Sequence, residues 1–513
     1  MARGKKNSKS KNKNEELDIS FNFTPKYFIW FTLIVFLLLG FYMRFYHVSY
    51  PVIGYHNWKT SHYITEARNF ARDGFFKEGF FVPMRDSMGS FREPSSGMHY
   101  DTFPMISIVV GFFFKIFGES LIVARLVNIL FSLASVFVFY LLVKELFNKE
   151  SLALISAFLA AINPLYVFFS HNIQVVNPGL FFMLLGALFF IKWIKSELKT
   201  HNYLYIATFS VVLGAITKYT FLVIAIPILY TLPYKKIWKQ RKKLLKPLLI
   251  AGFIALIFPA WFYYSEFVIK SKFLEGREAS GAFKLSNLVD FSLTTDAQFW
   301  ATMKSYIADN FTLFGITLSM LGGVLLSLLY LTKNHDKYNY KFMFSYFISI
   351  FIFVFIMGFK LSGHNYHQFP VAPIIIFLIA FLIEFIGRNI SNFFSTDILK
   401  NLVYVVVALL VLFGPFAQGK SLFARSMESK DRMFNTQFPG LDVAGYYIRD
   451  HSQTNERIFH SSGQSFGVLW HADRKGYKGS NIPDEYRFAE DNLNVSWVFA
   501  YQWGIATFLQ NPE

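Results

Sequence analysis

The stretch from Tyr27 to Arg44, YFIWFTLIVFLLLGFYMR, is apolar over the full length of a membrane-spanning helix. A span needs about 17–25 such residues to cross roughly 30 Å of hydrocarbon. A signal peptide would have a shorter apolar core and a small-residue cleavage site, and neither is visible here. The stretch therefore predicts a retained first membrane helix. Residues 1–26, which precede it, are polar and lysine-rich, which predicts a disordered basic tail.

Ten further apolar runs follow, so the sequence predicts an all-α polytopic membrane protein with about eleven transmembrane helices. Only 16% of its 513 residues are charged, against roughly 25% in soluble domains. The division of 203–234 into two spans depends on one polar break around Lys218. The runs cover 121–143, 151–169, 176–195, 203–217, 219–234, 247–265, 311–331, 342–360, 369–387 and 401–418.

The distribution of basic residues predicts the orientation of these spans. Lysine and arginine concentrate in short loops on the cytosolic side, and 235–246, KKIWKQRKKLLK, has seven basic residues and no acid. A cytosolic N-terminus places 144–150, 192–201, 235–246, 333–341 and 388–400 inside. The formal charge of +17 then indicates topology, and no nucleic-acid partner is expected. The chain has no cysteine, which excludes disulfides, thiolate metal sites and cysteine nucleophiles.

The segments left outside hold most of the polar sequence. A membrane module at 27–418 carries two outer loops, 46–103 and 266–305, and 419–513 is predicted to form a small extracytoplasmic α/β cap. In the first loop, Lys59–Ala71 has the pattern of an amphipathic interfacial helix. The run 103–117 is too short to span, so it is predicted to be interfacial or re-entrant. In the cap we expect a helix at 440–450, strands near 457–460 and 466–471, and a basic turn at 473–477.

Polar groups that converge at the outer ends of membrane helices mark a candidate site, because burying them is costly. Each has a structural alternative: His62 and Glu66 fit the solvated face of an interfacial helix, Asp101 fits a helix N-cap, and the lysines fit snorkelling side chains. The candidates are His56, Asn57, His62, Glu66, Asp101, His171, Lys218, Lys360, His364 and Tyr366.

Five motifs occur in an order that resembles the GT-C superfamily of polytopic glycosyltransferases, in particular the protein O-mannosyltransferase and aminoarabinose-transferase-like group. The resemblance implies transfer of a sugar from a polyprenyl-phosphate carrier to a protein, lipid or glycan acceptor on the extracytoplasmic face, as in cell-envelope glycosylation. The motifs are Ala67-Arg68-Asn69-Phe70 with Asp73-Gly74, His99 to Pro104 leading to Ala124-Arg125, Ser170 to Gln174 with Asn177-Pro178, Gly214 to Lys218, and His364 to Pro370 with Pro373.

The resemblance also implies roles for the candidates. An inverting transfer needs a base for the acceptor hydroxyl and a cationic site for the departing phosphate. Asp101 is the first choice for the base and Glu66, with His62 beside it, the second. Lys218 is the first choice for the phosphate, followed by Arg125 and Lys360. The side chains that would position sugar or phosphate are His56, Asn57, His171, His364 and Tyr366.

One departure from the family pattern leaves an alternative open. The family usually has an aspartate early in the first loop, where this chain has His56-Asn57 or His62. The alternative is a catalytically silent relative, or a transporter or polymerase partner for lipid-linked glycans. No cofactor is expected, and a divalent metal held by His and Asp side chains is left open.

Overall fold

A computed structural model describes residues 25–75, 102–269, 292–414, 420–460, 467–478 and 483–501. The first half contains twelve helices in the described residues: α1 Pro25–Phe45, α2 Asn57–Asp73, α3 Met105–Phe117, α4 Leu121–Phe147, α5 Glu150–Ala161, α6 Pro164–Ser170, α7 Val176–Lys195, α8 His201–Thr217, α9 Ala225–Thr231, α10 Tyr234–Lys239, α11 Arg241–Ala255 and α12 Ile257–Tyr263. A 3₁₀ segment, Tyr219–Ile224, precedes α9, and a π turn, Tyr264–Ile269, follows α12.

The second half continues with helices and ends in a small sheet. A short 3₁₀ turn at Ser292–Thr295 opens it, and a second 3₁₀ segment, Asn365–Val371, precedes α17. The remaining elements are α13 Ala297–Phe311, α14 Leu313–Lys333, α15 Tyr338–Ile356, α16 Gly358–Gly363, α17 Ala372–Ser391, α18 Asp397–Phe413, α19 Leu422–Arg432, α20 Leu441–His451, β1 Arg457–His460, α21 Gly467–Ala472, β2 Lys475–Lys478, α22 Pro483–Leu493 and β3 Val495–Phe499.

The chain is a multi-pass membrane protein. Among the described residues, seven helical segments are long and apolar enough to span a bilayer, and α5 with α6 makes an eighth if this pair, bent by 49°, is one span. The other predicted runs are also helical but shorter than a full span by that criterion. The predicted class, all-α with a small C-terminal α/β part, is confirmed.

The centre of the bundle is the segment Asn365–Ser391: 83% of the residues in its apolar 18-residue stretch are buried, against 22% in that of α1. A helix that is apolar on all sides either sits inside a bundle or faces lipid. Close packing at the centre depends on small residues: a Cβ added at Gly322 of α14 would lie 2.2 Å from the carbonyl oxygen of Leu378 in α17. The two helices therefore meet backbone to backbone.

The loops that the charge pattern assigns to the cytosol gather at one end of the bundle. Tyr230, at the end of α9, reaches the same end, since its hydroxyl lies 3.2 Å from that of Tyr330 and its ring 4.7 Å from the Lys341 ammonium. The absolute assignment of this end to the cytosol stays a prediction. Other contacts that join these loops are Lys195–Glu145 at 3.0 Å, Lys149–Glu384 at 3.7 Å and the Phe147–Tyr340 ring pair at 5.6 Å.

The helix predicted to break near Lys218 does break there. Lys218 has extended backbone angles, φ −159° and ψ 115°, between α8 and the 3₁₀ segment. Tyr203, near the start of α8, packs on Phe189 at the basic end, and Lys218 lies at the opposite end. Tyr230 returns to the basic end, so the chain reverses direction at Lys218, and the count of eleven spans stays a prediction.

The first-loop helix α2 is present, but its predicted surroundings were wrong. Its polar side chains, including His62, Glu66 and Asn69, are buried rather than solvated. One side of α2 packs on α3, and Arg68 reaches Asp473 (2.8 Å) in the C-terminal part. The local sequence pattern cannot predict this contact with the C-terminal part, because Asp473 lies some 400 residues further along the chain. The short helix α3 agrees with the non-spanning piece predicted at 103–117.

The C-terminal part is a three-stranded parallel sheet in the order β2–β1–β3 with helices around it. The predicted helix at 440–450 and strand at 457–460 are confirmed. The strand predicted near 466–471 is wrong, since Gly467–Ala472 is helix α21. Parallel strands need a crossover connection, and α21 lies in the crossover from β1 to β2. The predicted basic turn is limited to Asp473-Arg474, since β2 begins at Lys475.

Candidate functional site

A cavity of about 370 Å³ lies at the end of the bundle opposite the basic loops. Three of its lining residues are lysines, and none of the described lining residues is acidic. The described lining therefore contributes three positive charges, and such a concentration of cations favours an anion. Its lining consists of Trp58, Lys59, Tyr63, Thr102, Gln174, Val175, Lys218, Tyr219, Phe359, Lys360, Ser362, Gly363, His364, Tyr366 and His367.

Lys218 is placed in this cavity by the break after α8. Its backbone N–H still donates to the carbonyl of Gly214, the last α-helical bond before the chain turns extended. Its ammonium lies 4.1 Å from the centre of the Tyr366 ring and the residue is 9% exposed. A cation over an aromatic face is stabilised by the ring's negative face, so Tyr366 holds this charge at the cavity wall.

Two histidines predicted as binding residues lie together beside Lys218. The ring of His56 is 4.9 Å from that of His364, which stacks on Tyr366 at 5.0 Å. Burial first, then the charges of nearby His364, Lys59 and Lys218, lowers the pKa of His56 to about 3. Burial and the surrounding lysines lower the pKa of His364 to about 4. Both imidazoles are therefore neutral at physiological pH, and the positive charges of the described lining are those of its lysines.

A chain of buried asparagines fixes the turn that carries His56. The Asn172 amide donates to the His56 carbonyl (3.2 Å) and to the Thr60 hydroxyl (3.0 Å). Asn128 donates to the carbonyls of Ser170 (2.7 Å) and Asn172 (3.1 Å), and Asn177 donates to Asn128 (3.1 Å). His56 itself has a left-handed backbone, φ 54°, which costs energy for a residue other than glycine. These amides hold that strained turn in place.

Glu66 lies behind the cavity rather than in its wall. It is fully buried, accepts from Ser107 at 2.7 Å and contacts His62 Nε2 at 2.9 Å. Ser107 belongs to α3, so this carboxylate joins the two first-loop helices. Neither Glu66 nor His62 lines the cavity.

Four other predicted binding residues also lie outside the cavity lining: His56, described above, and Arg125, His171 and Asn57. The Arg125 guanidinium donates to the carbonyls of Val48 (2.7 Å) and Tyr50 (2.5 Å) and so fixes the chain after α1. His171 is buried against the ring of Phe434, 4.9 Å away, and burial lowers its pKa to about 3. Asn57 is buried in the first turn of α2.

The first-choice base, Asp101, lies outside the described residues. Thr102, the next residue in the chain, lines the cavity. Among the described residues, no group of three or more His, Asp or Glu side chains is arranged to hold a metal ion.

Sequence reasoning missed several cavity residues. Lys59 was assigned to the polar face of α2 without a role, and His367 was quoted only as part of a motif. Lys59 and Tyr63 are four residues apart and therefore share a helix face. This spacing was the one feature of the sequence that could have predicted that both line the same cavity. The approach of Lys59 to Lys218 and Lys360 follows from tertiary packing, which no local pattern encodes.

Comparison with known proteins identifies the architecture. The family model described as dolichyl-phosphate-mannose-protein mannosyltransferase matches residues 101–264. The Archaeoglobus fulgidus oligosaccharyltransferase AglB, solved with an inhibitory peptide and a dolichol-phosphate, superposes with a TM-score of 0.61 at 13% identity, over 93% of this chain and 69% of AglB. The chain has the GT-C fold.

A second solved GT-C structure is similar over nearly its whole length. ArnT from Cupriavidus metallidurans, bound to undecaprenyl phosphate, has a TM-score of 0.55 at 10% identity, over 93% of this chain and 90% of ArnT. No curated protein matches this chain significantly. The predicted resemblance to the GT-C superfamily is thus confirmed at the level of the fold. Identities of 10–13% do not transfer the roles of individual residues.

Proposed function

We propose that this GT-C protein is a membrane glycosyltransferase whose donor is a sugar carried on a polyprenyl phosphate. The observation that carries the proposal is the cavity whose described lining brings Lys59, Lys218 and Lys360 together beside the Tyr366 ring. The family model it matches is that of a dolichyl-phosphate-mannose-dependent transferase, and the solved ArnT structure holds undecaprenyl phosphate. Both relatives support a lipid phosphate as the anion.

In this proposal the lysines stabilise the departing phosphate. As the bond from the anomeric carbon to the phosphate oxygen breaks, its electron pair stays with the phosphate, and the charge there grows. Preorganised cations at that position lower the barrier. Lys218 is held over the Tyr366 ring, and Lys360 and Lys59 complete the site. We assign Arg125 a structural role, because it is bound to backbone carbonyls.

A carboxylate base completes an inverting transfer. The acceptor oxygen attacks the anomeric carbon from the face opposite the phosphate, and its proton passes to the base. Asp101 remains the first choice, supported by Thr102 in the cavity lining. Glu66 is less suited, since it is fully buried and already bonded to Ser107 and His62. His364 and Tyr366 line the space in which we place the sugar.

We place the reaction on the extracytoplasmic face. The basic loops gather at one end of the bundle, and both the cavity and the C-terminal part lie at the other. With the positive-inside rule, this separation supports a cytosolic N-terminus, a membrane module at 27–418 and an outer cap at 419–513. The acceptor, a protein, a lipid or a glycan, would reach the cavity from outside.

A second candidate is a catalytically silent relative, or a transporter or polymerase partner for lipid-linked glycans. The observation that favours it is chemical: His56 and Asn57 stand where the family usually has an acid, and both are neutral and buried. Such a protein would bind a lipid-linked sugar without cleaving it.

The test uses full-length protein in proteoliposomes with polyprenyl-phosphate mannose, glucose or aminoarabinose and crude acceptor membranes. We expect release of free polyprenyl phosphate from one donor, and loss of that release in Asp101→Asn and Lys218→Ala. Lys192→Ala, at the opposite end of the bundle, is the matched control. Donor binding without any release would support the second candidate instead.

A further inference from the structure

A second cleft, of about 530 Å³, lies between the membrane module and the C-terminal part. It is bordered by α2, by the start of α4 and by α20 and α21. Arg68 and Arg72 of α2 line it, whereas Lys59 and Tyr63 of the same helix line the lysine cavity. Nine residues separate Lys59 from Arg68, which is about 13 Å along the helix and half a turn around it. The two sites therefore lie on opposite faces of α2.

Among the residues that the structure describes, the charges lining this cleft balance, unlike those lining the lysine cavity. Three guanidinium groups, those of Arg68, Arg72 and Arg449, face three carboxylates, those of Glu119, Asp442 and Asp473. Arg72 bonds both Glu119 (2.6 Å) and Asp473 (2.9 Å), and this holds its pKa above the ordinary value. A surface with no net charge does not select an anion. It presents donors and acceptors side by side, and a hydroxyl group needs both.

Two aromatic side chains border the same cleft. The Arg68 guanidinium lies 5.1 Å from the Trp470 ring, and Tyr446 is edge-on to His471 at 5.2 Å. Tyr446 is 40% exposed although it is a large apolar ring. Binding sites for small molecules combine apolar and aromatic walls with a few well-placed polar groups, in clefts of roughly 300–1,000 Å³.

We propose that this cleft binds a neutral oligosaccharide. Carboxylate oxygens would accept from sugar hydroxyls, guanidinium groups would donate to them, and Tyr446 with Trp470 would contact the apolar faces of the sugar rings. A phosphorylated or acidic ligand is disfavoured by the balanced charge. The proposal is independent of sugar transfer in the lysine cavity, because the cleft is a separate site on the other face of α2.

The absence of native cysteines allows a direct test by single-cysteine labelling of the full-length protein in nanodiscs. Tyr446→Cys places the label at the cleft, and Tyr447→Cys, 57% exposed and outside the cleft lining, is the matched control. The alkylation rate by a maleimide dye is measured with and without mannotriose, maltotriose or chitotriose at millimolar concentration. We expect at least one trisaccharide to slow labelling severalfold at 446 and not at 447.

A second measurement covers the case in which the Tyr446→Cys substitution itself weakens binding of the trisaccharide. Saturation-transfer NMR with the protecting trisaccharide should give a signal with the native protein and a severalfold weaker one with Arg449→Ala, whose side chain is half-exposed. Lys218→Ala should leave this signal unchanged, so failure of the donor site and failure of the cleft are distinguishable. The proposal is overturned if none of the three sugars protects, if both cysteines are protected equally, or if a heparin tetrasaccharide protects better than the neutral sugars.

Discussion

At the scale of single residues, Lys218 is central to the proposed donor site. Its charge lies at the cavity wall, and a charged hydrogen bond contributes about 1.5–3 kcal/mol, or about tenfold to hundredfold in affinity. Lys218→Ala should therefore raise the dissociation constant for a polyprenyl-phosphate sugar by about tenfold or more. The measurement is binding of the radiolabelled donor in nanodiscs.

The control for this substitution is Lys192→Ala. Lys192 also lies near aromatic rings, 5.7 Å from Phe189 and 6.0 Å from Tyr203, but at the basic end of the bundle. The Lys192→Ala variant should bind the donor with the affinity of the native protein. Equal losses in the two variants would argue against a phosphate site at Lys218.

The histidines of the site predict a flat pH dependence. The pKa values of His56 and His364, lowered to about 3 and about 4, keep both rings neutral between pH 6 and 8. Affinity for a phosphodiester donor, which is an anion throughout this range, should then change little from pH 8 to pH 6. If the rings titrated near their ordinary pKa of about 6.5, acidification would add positive charge, and affinity would rise severalfold.

Two substitutions distinguish a structural role of Glu66 from a catalytic one. Removing one partner of a buried charged network costs about 3–5 kcal/mol, so Glu66→Ala should unfold or severely destabilise the protein. Glu66→Gln keeps an acceptor for Ser107 and should retain thermal stability. We expect Glu66→Gln to retain transfer activity, and a stable but inactive variant would make Glu66 the base in place of Asp101.

At the scale of elements, the position of Lys218 depends on close packing of the 3₁₀ segment against α7. A Cβ added at Gly179 would lie 2.3 Å from the ring of Phe221, which is fully buried. Overpacking of this kind costs about 1–3 kcal/mol. Gly179→Ala should lower the melting temperature and weaken donor binding together.

Gly252→Ala is the matched control for that helix substitution. An added Cβ at Gly252 meets nothing within 4 Å, and alanine favours a helix over glycine by about 1 kcal/mol. Its melting temperature should stay the same or rise. A fall equal to that of Gly179→Ala would show that the loss does not come from the Phe221 contact.

The elements also show what local sequence determines. Long apolar runs predicted the spans, and the polar break at Lys218 predicted a helix break, because both signals are local. Residues 466–471 were misassigned, since a short apolar run is compatible with a buried helix or a strand and only the parallel sheet decides between them. A solvated polar face of α2 was one of two interpretations that the local pattern left open. Arg68 of this helix contacts Trp470 and Asp473, which lie far along the chain, so the local pattern could not decide between them.

At the scale of the whole molecule, the charge pattern predicts sidedness. Single cysteines at Lys239 and Tyr447 lie at opposite ends of the predicted topology, and the protein has no other cysteine. In intact cells a membrane-impermeant maleimide should label Tyr447→Cys at once and Lys239→Cys only after permeabilisation. The reverse labelling pattern would show that the topology is inverted and that the lysine cavity faces the cytosol.

The candidate site was predictable in outline and less so in its members. Sequence order and topology pointed to Lys218, Lys360, His364 and Tyr366, all of which line one cavity. Three equally polar residues at the same end of the bundle contact their protein neighbours instead. Arg125 donates to backbone carbonyls, His171 packs on an aromatic ring, and Glu66 accepts from a side chain of the neighbouring helix α3. Whether a polar side chain faces a cavity or its neighbours is set by tertiary packing.

The central claim is that the lysine cavity holds a lipid phosphate that carries a sugar. The most direct measurement is mass spectrometry of lipids that copurify with the full-length protein in mild detergent, compared between the native protein, Lys218→Ala and Lys192→Ala. We predict a polyprenyl-phosphate sugar with the native protein and Lys192→Ala, and its loss from Lys218→Ala. Only bulk phospholipids, or the same polyprenyl lipid in all three samples, would contradict the claim.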